Sequence, residues 1–413
     1  MPSQHAQNGR RVVLLSQWFP PEHAPIGYML KELAQHLKQN GFAVEVVTGF
    51  PNHPTGRVFA PYRSRWLARD TIDGVPVTRL WSYISEKRSL LTRAVNFFSF
   101  VTRAFLYLLT CPKPAVIFAV LQPQPIGLVV LLLAKLRGFK VIFNIQDLHT
   151  DVLIDLGVAR GRWMTGLLRF IERSVYRHAD AIAVICDGFK SHVRAHGGAC
   201  AVSVIPNWID IDEIRPDGAA GLSFLQKHGL DPSLPVALYA GTIGHVSGAQ
   251  VVIDAARLQP GIQWLFVGEG PLLPELRVRA QGLPTVHFLP FQPREALGGV
   301  QNCATVSLVS LSPGKGIFSV PSKVLGYMAA GKPVVASVDP SSETARLVHD
   351  AACGYVVTAG DPAALAAGVQ RLVDNAGSRD LAGLRGRQYL EGRYTRQAVC
   401  AQYQSLIEQT ISS

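Results

Sequence analysis

Short apolar runs alternate with helix-length segments, twice over, and a polar linker separates the two series. In the first series Arg11–Ser16, Ala43–Thr48, Val75–Leu80, Ala115–Ala119, Lys140–Ile145 and Ala181–Ile185 read as strands. Tyr28–Asn40 reads as a helix, because Leu30, Leu33, Ala34 and Leu37 recur at helical spacing and Gly41 follows as a C-cap. In the second series the strands are Val236–Ala240, Gln263–Val267, Thr285–Leu289, Thr305–Val309 and Pro333–Ser337, with helices at Ala249–Leu258 and Pro274–Gln281. Such alternation implies parallel, doubly wound α/β sheets. The linker PNWIDIDEIRPDGAAG (206–221) places a hinge near residue 210. The expectation is two Rossmann-like domains, 1–207 and 208–388.

A chain of 413 residues is long enough for two or three domains, each with its own core. With 48% apolar and 17% charged residues it is globular rather than disordered. Its cysteines, 111, 186, 200, 303, 353 and 400, form no CxxC or Cys/His metal spacing. They read as buried, reduced thiols of a cytosolic protein. MPSQHAQNGRR has no apolar h-region, so no signal peptide is expected.

Charge is uneven. Residues 1–200 hold 24 Lys+Arg and 12 Asp+Glu, a net of +12; the remainder holds 16 and 17, a net of −1. The first half therefore faces something anionic. No nucleic-acid motif is visible, so lipid or a phosphorylated acceptor suits it better. Ser89–Thr110 is apolar but interrupted by Arg93 and Arg103, which a spanning helix would not centre. It reads as a helix with an apolar face and a basic edge, lying either in the core or in a membrane interface. Ile126–Leu136 is too short to span and reads as a buried helix.

Residues 312–337, SPGKGIFSVPSKVLGYMAAGKPVVAS, run from a Gly/Ser/Pro-rich loop into a helix ending at Gly331 and then a strand. Backbone N–H groups and a helix N-terminus meet there, beside Lys315 and Lys323. That combination suits an anion such as phosphate.

Further segments recur in a recognisable order. They are NIQDLHTDVLIDLG (144–157), IERSVYRHADAIAVI (171–185), IPNWID (205–210), YAGTIG (239–244), FVGEGP (266–271), VPSKVLGYMAAGKPVVAS (320–337) and CGYVVTAGDPAALA (353–366). As an ordered set they resemble the retaining family-four glycosyltransferases of the GT-B fold, whose two Rossmann-like domains face a cleft. The PSK spelling is similar to the branch that builds bacterial O-antigen and capsule, including transferases of amino-deoxy sugars such as N-acetylfucosamine. The segment Tyr389–Gln409 resembles the family's last helix, which returns to the first domain.

The resemblance implies a nucleotide-sugar donor, UDP-linked, in the carboxyl-terminal domain. Gly241, Thr242 and Gly244 would approach it, and Gly268 and Gly270 would pack its base. Lys315, Ser322 and Lys323 would hold the diphosphate, with Glu343 as a polar contact or a helix-start residue. Two departures stand out. Thr242 and Ser247 occupy the places of the family's Arg and Lys, so Lys315 and Lys323 must carry more of the charge. Gly326 replaces a Glu that bonds the ribose hydroxyls.

In the amino-terminal domain Asp147, His149 and Asp151 follow a strand's carboxyl end and are the candidates for acting on the acceptor or orienting the sugar. Glu22, His23 and Gly27 would line the acceptor side, with Gly27 allowing a phosphate to approach. His53 reads as structural, and Asn207 and Asp210 as hinge-capping residues. The implied acceptor is a polyprenyl-diphosphate-linked saccharide at an anionic membrane surface, with the enzyme cytoplasmic and peripheral on the inner face of the cell membrane. No cofactor is implied. The only D-x-D, Asp210–Asp212, falls in the linker, so metal-independent, retaining transfer is expected. A non-hydrolysing sugar-nucleotide epimerase on the same fold is the alternative. A dehydrogenase is disfavoured because QWFPPEHAPIG, not GxGxxG, follows the first strand.

Overall fold

The computed structural model describes residues 10–413 except 23, 54, 64, 88, 149, 151–160 and 318–321. The chain forms two compact units. One comprises the chain up to Asn207 together with Val399–Ser413, the other Trp208–Ala398.

The described elements of the first unit are β1 (Arg11–Leu15), α1 (Pro25–Gln39), β2 (Ala43–Gly49), β3 (Leu67–Ile72), β4 (Val75–Leu80), α2 (Leu90–Thr110), β5 (Val116–Val120), α3 (Pro125–Arg137), β6 (Lys140–Ile145), α4 (Arg162–His178), β7 (Ala181–Val184), α5 (Asp187–Ala195) and β8 (Ala201–Val204). The second unit holds α6 (Gly218–Lys227), β9 (Val236–Ala240), α7 (Gln250–Leu258), β10 (Gln263–Val267), α8 (Leu273–Arg279), β11 (Val286–Leu289), α9 (Leu297–Asn302), β12 (Val306–Ser310), α10 (Ser322–Ala329), β13 (Val334–Val338), α11 (Glu343–Asp350), β14 (Gly354–Thr358), α12 (Pro362–Asp374) and α13 (Ala376–Arg393). The final helix, α14 (Arg396–Ser412), ends in the first unit.

The first sheet runs β3-β4-β2-β1-β5-β6-β7-β8 and the second β11-β10-β9-β12-β13-β14. Every pairing is parallel except β3 with β4. The inner strands β9, β10, β12 and β13 are buried along their whole length because both faces are covered, whereas the edge strands β11 and β14 are half-buried. Along β9, Val236, Leu238 and Ala240 join one hydrophobic cluster, while Ala237 and Tyr239 join the other.

Several elements differ from the sequence reading. β3 and β4 form an antiparallel hairpin on the sheet edge, closed by Asp73 (φ 48°) and Gly74 (φ 80°). Asp-Gly is a strong hairpin-turn signal, because both central residues of a type I′ turn need positive φ. Strands β8 and β14 were also absent from that reading. The last helix begins at Arg396, not Tyr389. Helical structure is interrupted at Tyr394–Thr395, where Ile209 N–H donates to the Tyr394 carbonyl at 3.0 Å. α3 is only half buried: Ile126, Val130 and Leu133 pack inward while Leu132 and Leu136 are exposed. All six cysteines are free thiols; five are buried and Cys200 is half-buried.

Candidate active site

In the second sheet the connections leave β9 toward β10 on one side, while β12 on its other side leads on to β13. The carboxyl ends of β9 and β12 are thus a topological switch point, the usual ligand crevice of such sheets. The loop after β9 is fastened there by β12. Ser310 Oγ donates to the Ser247 carbonyl (2.7 Å), and Ser312 donates through N–H to Val246 and through Oγ to His245 (3.0 Å each). Ser247 is buried and donates to the Gly244 carbonyl at 2.7 Å.

The GTIG and GEGP turns lie directly against each other. Gly241 N–H donates to Val267 and Ile243 N–H to Glu269, both at 2.9 Å. A Cβ on Gly268 would stand 2.1 Å from the Gly241 carbonyl oxygen, and one on Gly270 2.2 Å from that of Ile243. These two glycines are accounted for by loop-to-loop packing. Gly244 has open space: its Cβ would meet nothing nearer than Thr242 Cγ2 at 3.9 Å. Thr242 is exposed.

α10 opens at the same place. It stops at a Schellman motif, with Lys332 N–H on the Tyr327 carbonyl (2.9 Å), Gly331 N–H on that of Met328 (3.0 Å) and Gly331 at φ 65°. Tyr327 anchors the helix over the strand ends. Its fully buried hydroxyl accepts from Ala240 N–H at 2.9 Å and faces the Leu308 carbonyl at 3.2 Å. Lys323, in the first turn, reaches inward. Its Nζ lies 3.6 Å from the centroid of the Tyr239 ring, and its Cε and Nζ would be 3.2 and 3.5 Å from a Cβ on Gly241. Tyr239 in turn donates to the Thr242 carbonyl at 3.0 Å. Burial of the ammonium end pulls the Lys323 pKa down to about 7. No carboxylate pairs with it among the described residues. A cation at a helix N-terminus is electrostatically unfavourable. An anion arriving there would satisfy both.

Of the other carboxyl-terminal candidates, Lys315 is exposed at the tip of a turn between Gly314 and Gly316, and Ser322 is exposed at the start of α10. Glu343 is buried at the start of α11 and pairs with Arg346, while Ser342 provides the cap, accepting from Ala345 N–H at 3.1 Å. Beside Gly326, the space a side chain would take is filled by the buried Gln301 carboxamide, 3.3 Å from the Cβ position.

In the first unit, Asp147 is exposed just after β6. Its neighbour Gln146 donates to Asn144 Oδ1 (2.7 Å) and accepts from Asn207 Nδ2 (3.0 Å), while Asn144 Nδ2 donates to the Tyr403 hydroxyl of α14 (2.9 Å). That chain of bonds holds the loop. His149, Asp151 and His23 lie outside the described residues. Glu22 is fully buried and ties two loops together. Its Oε1 accepts from the Asn52 and His53 backbones at 2.8 and 2.9 Å. Burial raises its pKa, opposed by those two N–H groups and by Arg79. Arg79, itself fully buried, donates to Asp70 at 2.6 Å and to the Pro20 carbonyl. The space beside Gly27 is taken by the Phe19 backbone, 3.0 Å from its Cβ position. His53 is exposed. Asp210 Oδ1 caps a turn, accepting from the Asp212 and Glu213 backbones at 3.0 Å. No group of three or more His, Cys, Asp or Glu gathers in metal-binding geometry among the described residues.

Sequence reasoning overlooked Tyr239 and Tyr327. The available signal was a tyrosine inside an otherwise apolar strand and another inside an apolar helix, since a buried hydroxyl needs a partner.

Residues 26–208 match the model of the glycosyl transferase 4-like domain, and residues 234–375 that of glycosyl transferases group 1. The chain is 28% identical over 341 residues to WcaI of Escherichia coli (strain K12), described as a colanic acid biosynthesis glycosyl transferase; the match spans 80% of this chain and 83% of that one. Sucrose-phosphate synthase from Thermosynechococcus elongatus shares the fold with a TM-score of 0.76 at 19% identity, covering 98% and 99% of the two chains. Anabaena HepE, crystallised with UDP-glucose, does so with a TM-score of 0.69 at 15% identity, covering 97% and 99%.

Proposed function

As the chain is a glycosyltransferase of the GT-B fold and of polysaccharide-biosynthesis type, we propose that it moves a sugar from a UDP-linked donor to a polyprenyl-diphosphate-linked saccharide, with retention of anomeric configuration and without a metal ion. The observation that carries the donor half is Lys323, a cation in the first turn of α10 beside Gly241 with no carboxylate partner among the described residues. As the glycosidic bond breaks, negative charge builds on the leaving diphosphate. Lys323, the α10 N–H groups and Lys315 would stabilise it, with Ser322 as a hydrogen-bond donor. Asp147, with His149 and Asp151, would orient the transferred sugar or act on the acceptor hydroxyl. Glu22 would shape the acceptor loop and not touch the sugar. The HepE complex supports a uridine nucleotide, being a GT-B neighbour seen with UDP-glucose. Relatedness to WcaI supports a surface-polysaccharide acceptor. An N-acetylated amino-deoxy sugar of the kind used in O-antigen is the donor sugar we favour, on the PSK motif.

The test is incubation with a panel of radiolabelled nucleotide sugars and a polyprenyl-linked acceptor. Label extractable with lipid supports the reading. Label converted only within the nucleotide pool would indicate an epimerase, which the two transferase domain matches disfavour. Turnover that survives EDTA supports metal independence, and loss restored by Mn²⁺ would refute it.

A further inference from the structure

On one side of the first sheet, α3 packs between α2 and α4. All three helices turn apolar side chains outward. On α4, Trp163, Leu167 and Phe170 form an i, i+4, i+7 stripe, with Trp163 74% and Phe170 62% exposed. α3 adds Leu132 and Leu136, and α2 adds a stripe that includes Phe98 and Leu106. The same three helices carry eight Lys/Arg and a single acidic residue, Glu172, which is fully buried. Three of the eight are used internally: Arg103 bonds the Trp66 carbonyl (3.2 Å), Arg137 the Cys111 carbonyl (2.7 Å) and Arg169 Glu172 (2.8 Å). The other five, Arg93, Lys135, Arg162, Arg173 and Arg177, are exposed and pair with no carboxylate among the described residues. On α4, Arg173 and Arg177 continue the outward face of the Trp163–Phe170 stripe.

We propose that the α2–α3–α4 face is a membrane-docking surface that lies in the interface of an anionic bilayer, with the α4 stripe as its anchor. The proposal deepens, and rests on, the reading of a lipid-linked acceptor. Charge selects the occupant. A second copy of this chain would set cation against cation, and nucleic acid would leave the Leu, Phe and Trp side chains without an apolar partner. An anionic headgroup layer over acyl chains matches both components. No helix among the described residues is long and apolar enough to cross a membrane, so the contact is interfacial. The anchor falls on α4, which the reading from sequence had not singled out, and joins the α2 segment that it had.

The test is flotation of the full chain with vesicles of phosphatidylglycerol and phosphatidylethanolamine, against pure phosphatidylcholine. Binding to the anionic vesicles should weaken as salt rises. The double substitution Leu167→Glu/Phe170→Glu should lower it at least about tenfold, and Arg173→Glu/Arg177→Glu about threefold or more. Arg385→Glu, on an exposed helix position of the other unit and equal in charge change to the Leu167→Glu/Phe170→Glu pair, should change it little. All these positions are exposed, and unchanged melting temperatures would confirm folding. Equal binding to phosphatidylcholine, indifference to the α4 substitutions, or self-association abolished by those substitutions without vesicle binding would each overturn the proposal. UDP binding in lipid-free buffer separates the two readings. A protein that binds UDP but does not float refutes the docking surface alone. One that floats but binds no UDP supports the surface and refutes the assigned donor site.

Discussion

The Lys323 ammonium rests over the face of Tyr239, 3.6 Å from the ring centroid. The ring's quadrupole replaces part of the water that the ammonium has lost, but supplies no counter-charge. Tyr239 is itself fixed by its bond to Thr242, the first residue after the Gly241 turn. The strand, the turn and the helix N-terminus are therefore coupled through one cation. No carboxylate pairs with it among the described residues, so the proposed contact with a diphosphate breaks no ion pair seen there.

Lys323→Ala should lower kcat/KM for the nucleotide sugar at least about tenfold, equivalent to roughly 1.4 kcal/mol of transition-state stabilisation. Steady-state kinetics on protein with an unchanged melting temperature is the check. Near-normal kinetics would remove Lys323 from the diphosphate site.

The depressed pKa of Lys323 gives a pH signature. With a value of about 7 the free enzyme carries the charge below that pH and loses it above. Because the proposed diphosphate contact requires the charged form, kcat/KM should fall as pH rises through about 7. Lys323→Arg stays charged throughout, so its profile should lack that limb. A limb that persists in the arginine variant would assign it to another group.

Tyr327→Phe removes the acceptor for the Ala240 N–H and leaves a buried donor unsatisfied. The cost should be about 1–3 kcal/mol, seen as a drop of several degrees in the melting of the second unit. KM for the donor should rise as well, because Tyr327 holds the helix that carries Lys323. A phenylalanine variant with wild-type melting and KM would deny the hydroxyl this anchoring role.

Glycine substitutions should divide sharply. Gly270→Ala puts a methyl about where the Ile243 carbonyl oxygen already lies, 2.2 Å away, so the GTIG turn must move and donor affinity should collapse. Gly244→Ala meets nothing within 3.9 Å and should be mild. Titration with UDP would measure both. Equal effects would mean that contact between the turns does not shape the site.

Glu172 should govern acid stability of the first unit. Burial raises its pKa, but hydrogen bonds from His192 (3.2 Å) and Arg169 (2.8 Å) outweigh this and hold it at about 2. Its folded pKa lies below the ordinary value of 4.5. Its contribution is therefore complete above that value and lost as pH falls toward about 2. Glu172→Gln should destabilise by about 3–5 kcal/mol at neutral pH, as loss of one partner of a buried pair does. The gap in melting temperature from wild type should close between pH 4.5 and 2. A gap independent of pH would show that the carboxylate charge is not what matters.

Much of this protein was determined by sequence alone, wherever the signal is local. Apolar runs such as Val236–Ala240 and Gln263–Val267 specify buried strands, and alternation with helices specifies the parallel sheets. Gly331 marked the end of α10 because few other residues adopt φ 65° readily. That Lys323 stands at a helix start was legible from the Gly/Ser/Pro-rich loop running into an apolar helical segment. Tertiary structure decided the rest, because those properties depend on which distant segment arrives. At Gly268 and Gly270 it was the arrival of the β9 loop that left no room for a side chain. Glu22 is buried with its Oε1 bonded because residues 52 and 53 arrive beside it. The hydroxyl of Tyr327 gained its meaning only when β9 lay beneath it. Burial and partnership belong to pairs of segments, and only the folded chain brings the members of each pair together.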